Sequence, residues 1–242
     1  MGTYIIDQRR TVIHIGDIHG NFYVIEGAIK MKRITHSLLI QHGDFGIGFH
    51  KKNYYDTELS HLSRLLVKTN NLLYVIRGNH DDPSYFTGEY RFPNLYLIAD
   101  YSTIFVNEMI ILCLGGGISI DRSVRTLGSS YWSDEFCVYN EEKLKALPPI
   151  NKVVSHDSPG LLGHFYKPGL RLSQWLAVDP GLQHLLEQSN GNLEANLNWL
   201  KSHEHPLSTW IMAHFHKSDS FVINGIEFHI LGIDEFKFIY ND

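Results

Sequence analysis

The chain has 242 residues, 43% of them hydrophobic, and a formal net charge of −5. That length suits one large α/β domain, and that apolar content excludes global disorder. With an acidic balance and no basic stripe, broad binding to duplex nucleic acid is not expected, while a small or single-stranded nucleotide stays open as a partner.

Taken in chain order, a β-rich run over 11–15 ends at Gly16, and 21–31 reads as a helix. A second apolar run, 37–41, closes on His42-Gly43-Asp44. Leu59, Leu62, Leu66 and Thr69 recur at helical spacing and predict a helix over 56–69. A third strand, 72–76, closes on Arg77-Gly78-Asn79-His80. This alternation is the βαβαβ pattern of a parallel, buried sheet.

Strands then succeed one another over 95–99, 102–106 and 109–114, before Gly115-Gly116-Gly117 opens a loop rich in Ser, Arg and aromatic residues. Asn140 reads as the N-cap of a short helix over 141–147, and 152–155 returns to strand before His156. Asp179-Pro180 reads as N-cap and first residue of a helix, with a second helix starting at Asn192. The irregular segment 158–206 is expected as a cap-like insertion within a single domain spanning 1–242. Strands over 209–212, 221–223, 226–231 and 236–240 close the chain, with Asn224-Gly225 as a hairpin turn. Two facing sheets with helices on both outer faces would bury this many strands.

Cys113 and Cys137 form no disulfide framework and fit a reducing compartment. No signal peptide or bilayer-spanning run is visible, and Ile6 stands where a myristoylation site needs Ser or Thr. The expectation is a cytoplasmic protein without membrane contact.

Short polar signatures come after the apolar runs: Gly16-Asp17-Ile18-His19-Gly20, Gly43-Asp44-Phe45-Gly46, Gly78-Asn79-His80-Asp81, Ser155-His156-Asp157 and Ala213-His214-Phe215-His216. Alone, each is usually a turn with a capping Asp. Independent turn explanations at five strand ends are harder to accept than a single shared one. Asp17, His19, Asp44, Asn79, His156, His214 and His216 together supply enough N and O donors for two cations, with Asp44 placed to bridge them. Mixed imidazole and carboxylate donors suit Mn first, then Fe, Zn, Co or Ni, rather than Ca or Mg. His42 is ambiguous because it neighbours Asp44, and the remaining histidines read as structural.

This set, in this order, resembles the calcineurin-like metallophosphoesterase superfamily, whose pattern is D-x-H, G-D, G-N-H-[ED], H and G-H-x-H. The resemblance runs from Asp17 to His216, with Ala213 where the pattern has Gly. It implies a four-layer αββα fold of two mixed β-sheets flanked by helices, and a dinuclear metal centre. Asp17, His19, Asp44 and His216 would serve one ion, and Asp44, Asn79, His156 and His214 the other. It implies a metal-dependent phosphoester hydrolase in which a hydroxide between the cations attacks phosphorus in line. His80 would protonate the departing oxygen or position substrate.

Arg77 is expected to clamp a phosphoryl oxygen, and Asp81 or Asp82 either orients His80 or caps a surface helix. The protein phosphatase branch carries Asp-Arg where this chain has Ile47 and Gly48, so a second phosphate clamp is missing there. Gly115 to Arg122 with Trp132 to Glu135 resembles a Gly-Gly-x-x-Ser-x-Asp-[KR] and Trp-x-x-Glu segment of bacterial and phage-type members. Arg122 or Arg125 could replace the missing clamp, and Trp132 could stack a base or sugar; a glycine-permitted turn with a surface Arg–Asp pair is the alternative. The expected substrate is a small phosphomonoester or phosphodiester, a nucleotide included. The other function class is a catalytically inactive scaffold on the same fold.

Overall fold

The computed structural model describes residues 1–162 and 170–238. In chain order it contains β1 (Thr3–Ile5), β2 (Thr11–Ile15), α1 (Phe22–Met31), β3 (Ser37–His42), α2 (Lys52–Lys68), β4 (Leu72–Ile76), β5 (Arg91–Phe92) and β6 (Leu95–Leu97). Next come β7 (Ser102–Val106), β8 (Met109–Leu114), α3 (Glu141–Lys145), β9 (Lys152–Ser155), α4 (Leu170–Val178), α5 (Leu182–Ser202), β10 (Thr209–Met212), β11 (Asp219–Ile223), β12 (Ile226–Ile230) and β13 (Phe236–Phe238). Seven strands form one sheet in the order β1-β7-β8-β9-β10-β12-β11, and six form the other, β13-β2-β3-β4-β6-β5. The centres of both sheets are parallel, β2-β3-β4-β6 in one and β8-β9-β10-β12 in the other.

The continuous apolar runs result from burial on both faces. Successive residues of one strand feed different cores, as the two-residue period requires. In β3, Leu38 and Ile40 join Tyr74, Ile76, Ile111, Cys113, Val154 and Ile211 between the sheets, while Leu39 packs with α1 and α2 through Ile25, Ile29, Leu59 and Leu62. In β10, Ile211 faces the inner core while Trp210 and Met212 pack outward with Leu193, Leu197 and Leu200 of α5. Helices thus cover the outer face of each sheet, giving four layers, αββα. The described part of 158–206, expected as a cap, contributes to one of these layers.

Several local expectations differ from the structure. β1 was not expected; three residues carry little pattern, and their place is set by parallel pairing with β7. α2 begins at Lys52, ahead of the expected Asp56, because Tyr55 is fully buried and its hydroxyl bonds Gly46 O and His50 N. Asn192 starts no helix, since α5 runs unbroken through Asn190-Gly191-Asn192. Its polar residues are held by tertiary partners: Ser189 Oγ donates to Asp157 Oδ2 at 2.8 Å and Asn190 Nδ2 to Ser158 O at 2.9 Å. Asp179 does not begin the helix either; its carboxylate binds Arg122 and the Gly181 N–H. Asn140 does cap α3, accepting from Lys143 N. Asn224 and Gly225 both take positive φ, as a two-residue hairpin turn requires. The end of the strand expected to reach Tyr240, and His164, lie outside the described residues. Among the described residues no helix is long and apolar enough to cross a membrane.

His42 turns into the interior, where its Nε2 lies 2.8 Å from His14 Nδ1. Burial, then the neighbouring His42, Lys152, His229 and Lys237, push His14 well below the usual imidazole range. The unfolded chain takes up this proton near pH 6.5, while the folded chain resists it, so stability is full above about pH 6.5 and falls as the pH drops below it. His14→Gln is expected to flatten that acid limb. The check is the difference in urea midpoint between pH 7.5 and pH 5.5, which should be smaller in the variant.

Candidate metal centre

The ends of β2, β3, β4, β9 and β10 meet at one rim of the sandwich and bring all seven expected donors together. Asp17, His19, Asp44 and His216 offer atoms within 4.8 Å of one another, and Asp44, His156 and His214 form a second such group. Asn79 joins the second group, with its Oδ1 3.0 Å from His156 Nε2. Asp44 belongs to both groups, in the position of a bridge. In the second group Asp44 and His156 are buried and His214 is half-buried, while the His19 and His216 side chains are 31% and 45% exposed, so solvent reaches the centre chiefly from the first group's side.

Backbone geometry explains why these turns aim where they do. His19, Asp44, His214 and His216 all take positive φ, between 46° and 69°, a cost for non-glycine residues that clusters at functional sites. Gly78 leaves the room Asp44 needs, since a Cβ there would run into Asp44 N and Oδ1. His156 Nδ1 donates to His42 O at 2.7 Å, which fixes the ring and turns Nε2 toward the cluster. The His80 N–H donates to Asp44 Oδ1 at 2.8 Å, and the His214 N–H to Asp17 Oδ1 at 3.2 Å.

The donor set fits divalent cations. Asp17 Oδ2 is buried and accepts no hydrogen bond, although His216 Nε2 is 3.3 Å away. His19 Nε2 and His216 Nε2 face each other at 3.0 Å, and His156 Nε2 stands 3.1 Å from His214 Nδ1 and 3.2 Å from Asp44 Oδ1. Ligands about 2.1 Å from a shared ion sit roughly this far from one another. Burial, eased by His156 and reinforced by Asp44, pushes the Asp17 carboxyl up to about 7. Burial pushes His214 down to about 4, leaving its ring neutral with a lone pair to offer.

The expected auxiliary residues fare differently. Arg77 does not face the cluster: its guanidinium binds Asp100 Oδ2 at 2.7 Å and the carbonyls of Asp134 and Phe136 at 2.9 and 3.1 Å. Asp81 does not touch the His80 ring; it accepts the N–H groups of Phe45, Gly46, Ile47 and Gly78 and so ties two donor-bearing turns together. Asp82 caps a short helical turn through Ser84 N. Arg122 is turned away to Asp179, at 2.7 and 2.9 Å. Trp132 is buried and meets Phe49 edge-on, with ring centroids 5.5 Å apart.

Arg125 stands beside His80 instead, its Nη2 3.2 Å from His80 Nε2. Asp121 holds it in a two-bond clamp at 2.6 and 3.0 Å. Burial, then Arg125 and His19, push His80 below the usual imidazole range despite Asp44.

The glycine-rich segment acquires a purpose that its sequence alone did not disclose. Asn79 Nδ2 donates to Ser119 Oγ at 3.1 Å, and Ser119 Oγ and N both donate to the buried Glu135 carboxylate at 2.8 Å. The chain of donors runs one way, so the Asn79 amide keeps its nitrogen toward Ser119 and its oxygen toward the cluster.

A family model for calcineurin-like phosphoesterases matches residues 10–218. Among solved structures, the phosphopantetheinyl hydrolase of Mycobacterium tuberculosis aligns with a TM-score of 0.51 at 14% identity, over 95% of this chain and 92% of that one. A dimetal phosphatase from Danio rerio aligns with a TM-score of 0.46 at 15% identity, over 94% and 88%. At such identities the likeness concerns the fold alone. No curated protein sequence matches the chain.

Ser119→Ala removes the acceptor that orients Asn79. The expected result is a fall of about 10- to 100-fold in Mn²⁺ affinity with the fold retained, read by calorimetric titration and circular dichroism.

Proposed function

The chain belongs to the calcineurin-like phosphoesterase family, and on that footing we propose that it hydrolyses phosphate esters with two divalent cations. Asp17, His19, Asp44, Asn79, His156, His214 and His216 would hold them, Mn²⁺ being the first choice and Fe, Zn, Co or Ni the alternatives. The observation that carries this reading is the convergence of seven donors from five strand ends, with Asp44 in both groups. When bound, such a pair supplies Lewis acidity toward the phosphoryl oxygens and a water of lowered pKa.

The chain's own residues do the rest. His80 lies at the rim of the His19 ring, centroids 5.1 Å apart, and serves the departing oxygen as a proton donor or a positioning group. Of the arginines expected as clamps, Arg125 rather than Arg77 or Arg122 takes the phosphate-clamping role. Its Nε and Nη2 bind Asp121, its Nη1 binds Ser130 O, and both terminal nitrogens also face the His80 ring, which places the guanidinium beside the group that would serve the departing oxygen. Asp81 acts at one remove, by holding the turns that carry Asp44 and Asn79, and Glu135 by holding the Ser119 that orients Asn79. The substrate is a small phosphomonoester or phosphodiester, nucleotides included. Free, buried Cys113 and Cys137 agree with a reducing, cytoplasmic location.

With Mn²⁺, hydrolysis of p-nitrophenyl phosphate or its bis-ester is expected to appear, to vanish on chelation and to return when the metal is restored. His80→Ala should keep two bound ions by metal analysis and lose about 10²- to 10⁴-fold in kcat. No turnover with any divalent metal would overturn the reading.

A further inference from the structure

Beside His80 lies a cavity of about 220 Å³, bordered by the turn after β3 and the first turn of α2. Its walls are the rings of His19, Phe49, His50, Tyr54 and His80, and the backbone of Gly20 and Gly46 completes the lining. Among the described residues, neither a carboxylate nor a Lys or Arg side chain lines it. Phe49 stacks on His80 with ring centroids 5.9 Å apart and planes at 26°, and the buried Trp132 meets it edge-on. His50 and Tyr54 pack at 4.5 Å on the same wall. Phe49 and Tyr54 nevertheless remain 38% and 40% exposed, so a ring-bearing face is kept in solvent next to the donor cluster.

We infer that this cavity receives the alcohol side of the ester, and that this alcohol carries a flat, uncharged ring. The inference rests on the hydrolase reading in one respect, that the departing oxygen is served by His80. From that oxygen the leaving group extends along the His80 ring into the cavity. A lining of rings with no carboxylate, Lys or Arg side chain suits a neutral aromatic partner, which gains from offset and edge contacts. An apolar cavity of about 150 Å³ holds benzene, so this one admits a single or small fused ring. The ring can be joined directly to the ester oxygen or be carried on a sugar; the chemistry recognised is the same.

The test measures binding, without turnover. Calorimetry on the Mn²⁺-loaded protein compares phenylphosphonate, methylphosphonate and the non-hydrolysable methylenephosphonate analogue of adenosine 5′-monophosphate. At least one ring-bearing ligand should bind about tenfold more tightly than methylphosphonate, and Phe49→Ala should remove most of that ratio. Tyr54→Ala supplies the same comparison should the first variant fail to fold. Preference for phenylphosphonate assigns a directly attached ring, and preference for the nucleotide a ring on a sugar. Equal affinity of all three ligands, or a ratio unchanged in both variants, overturns the inference. Turnover without ring preference strikes this inference alone, and ring preference without turnover strikes the hydrolase reading alone.

Discussion

Asp44 ties the two halves of the candidate centre together, and much of the surrounding architecture is arranged to hold that carboxylate. It lies just past β3, which is flanked by β2 and β4 within the six-stranded sheet, so its position is set by paired strands on both sides. Its backbone is left-handed, with φ at 52°, and Gly78 on the neighbouring turn must lack a side chain for it to fit. Although burial opposes ionisation, the His156 ring beside it holds the Asp44 carboxyl well below the usual carboxylate range. A buried anion of this kind is tolerable only beside hydrogen-bond donors or positive charge, and here the His80 N–H donates to it and the His156 ring lies 3.2 Å away.

The same logic extends outward. Asp81 and Glu135 are buried carboxyls, pushed up to about 7 and about 8 chiefly by desolvation. Asp81 spends its oxygens on N–H groups of the turns that carry Asp44 and Asn79, and Glu135 on the Ser119 that accepts from Asn79, so the cost of burying them is converted into fixed geometry. Replacing such groups by apolar ones would suit stability better than it would suit the centre. Left-handed backbone at His19, Asp44, His214 and His216 belongs to the same pattern, a local cost at positions where the candidate donors converge.

The layered fold and the convergence of the candidate donors were legible because both arise from short-range rules. Strands buried on both faces read as apolar runs, and the polar residues just past a strand end mark where the chain emerges at the rim of the sheet. The features that were not legible depend on partners far away in the chain. Arg77 sits beside Gly78-Asn79-His80 and looks like a clamp, yet Asp100 and two carbonyls beyond residue 130 take its guanidinium. Arg122 and Arg125 are three residues apart and indistinguishable by pattern; Asp179 claims the first and Asp121 the second. Ser119 and Glu135 stood within a recognisable motif, but its spacing could not say that Asn79 was the group it supports.

The Arg77–Asp100 pair also bears on motion. Residues 115–119 have no regular secondary structure, yet Gly115 N binds Asp100, Gly116 N binds Arg77 O, Gly117 N binds Glu135 O and Ser119 N binds the Glu135 carboxylate. These amides are shielded by side chains and a neighbouring loop, where a ladder would ordinarily do so. Their exchange with deuterium oxide should be as slow as that of a sheet, and would quicken together when one guanidinium is removed. The segment would then behave as a cooperative unit whose opening is governed by a single ion pair.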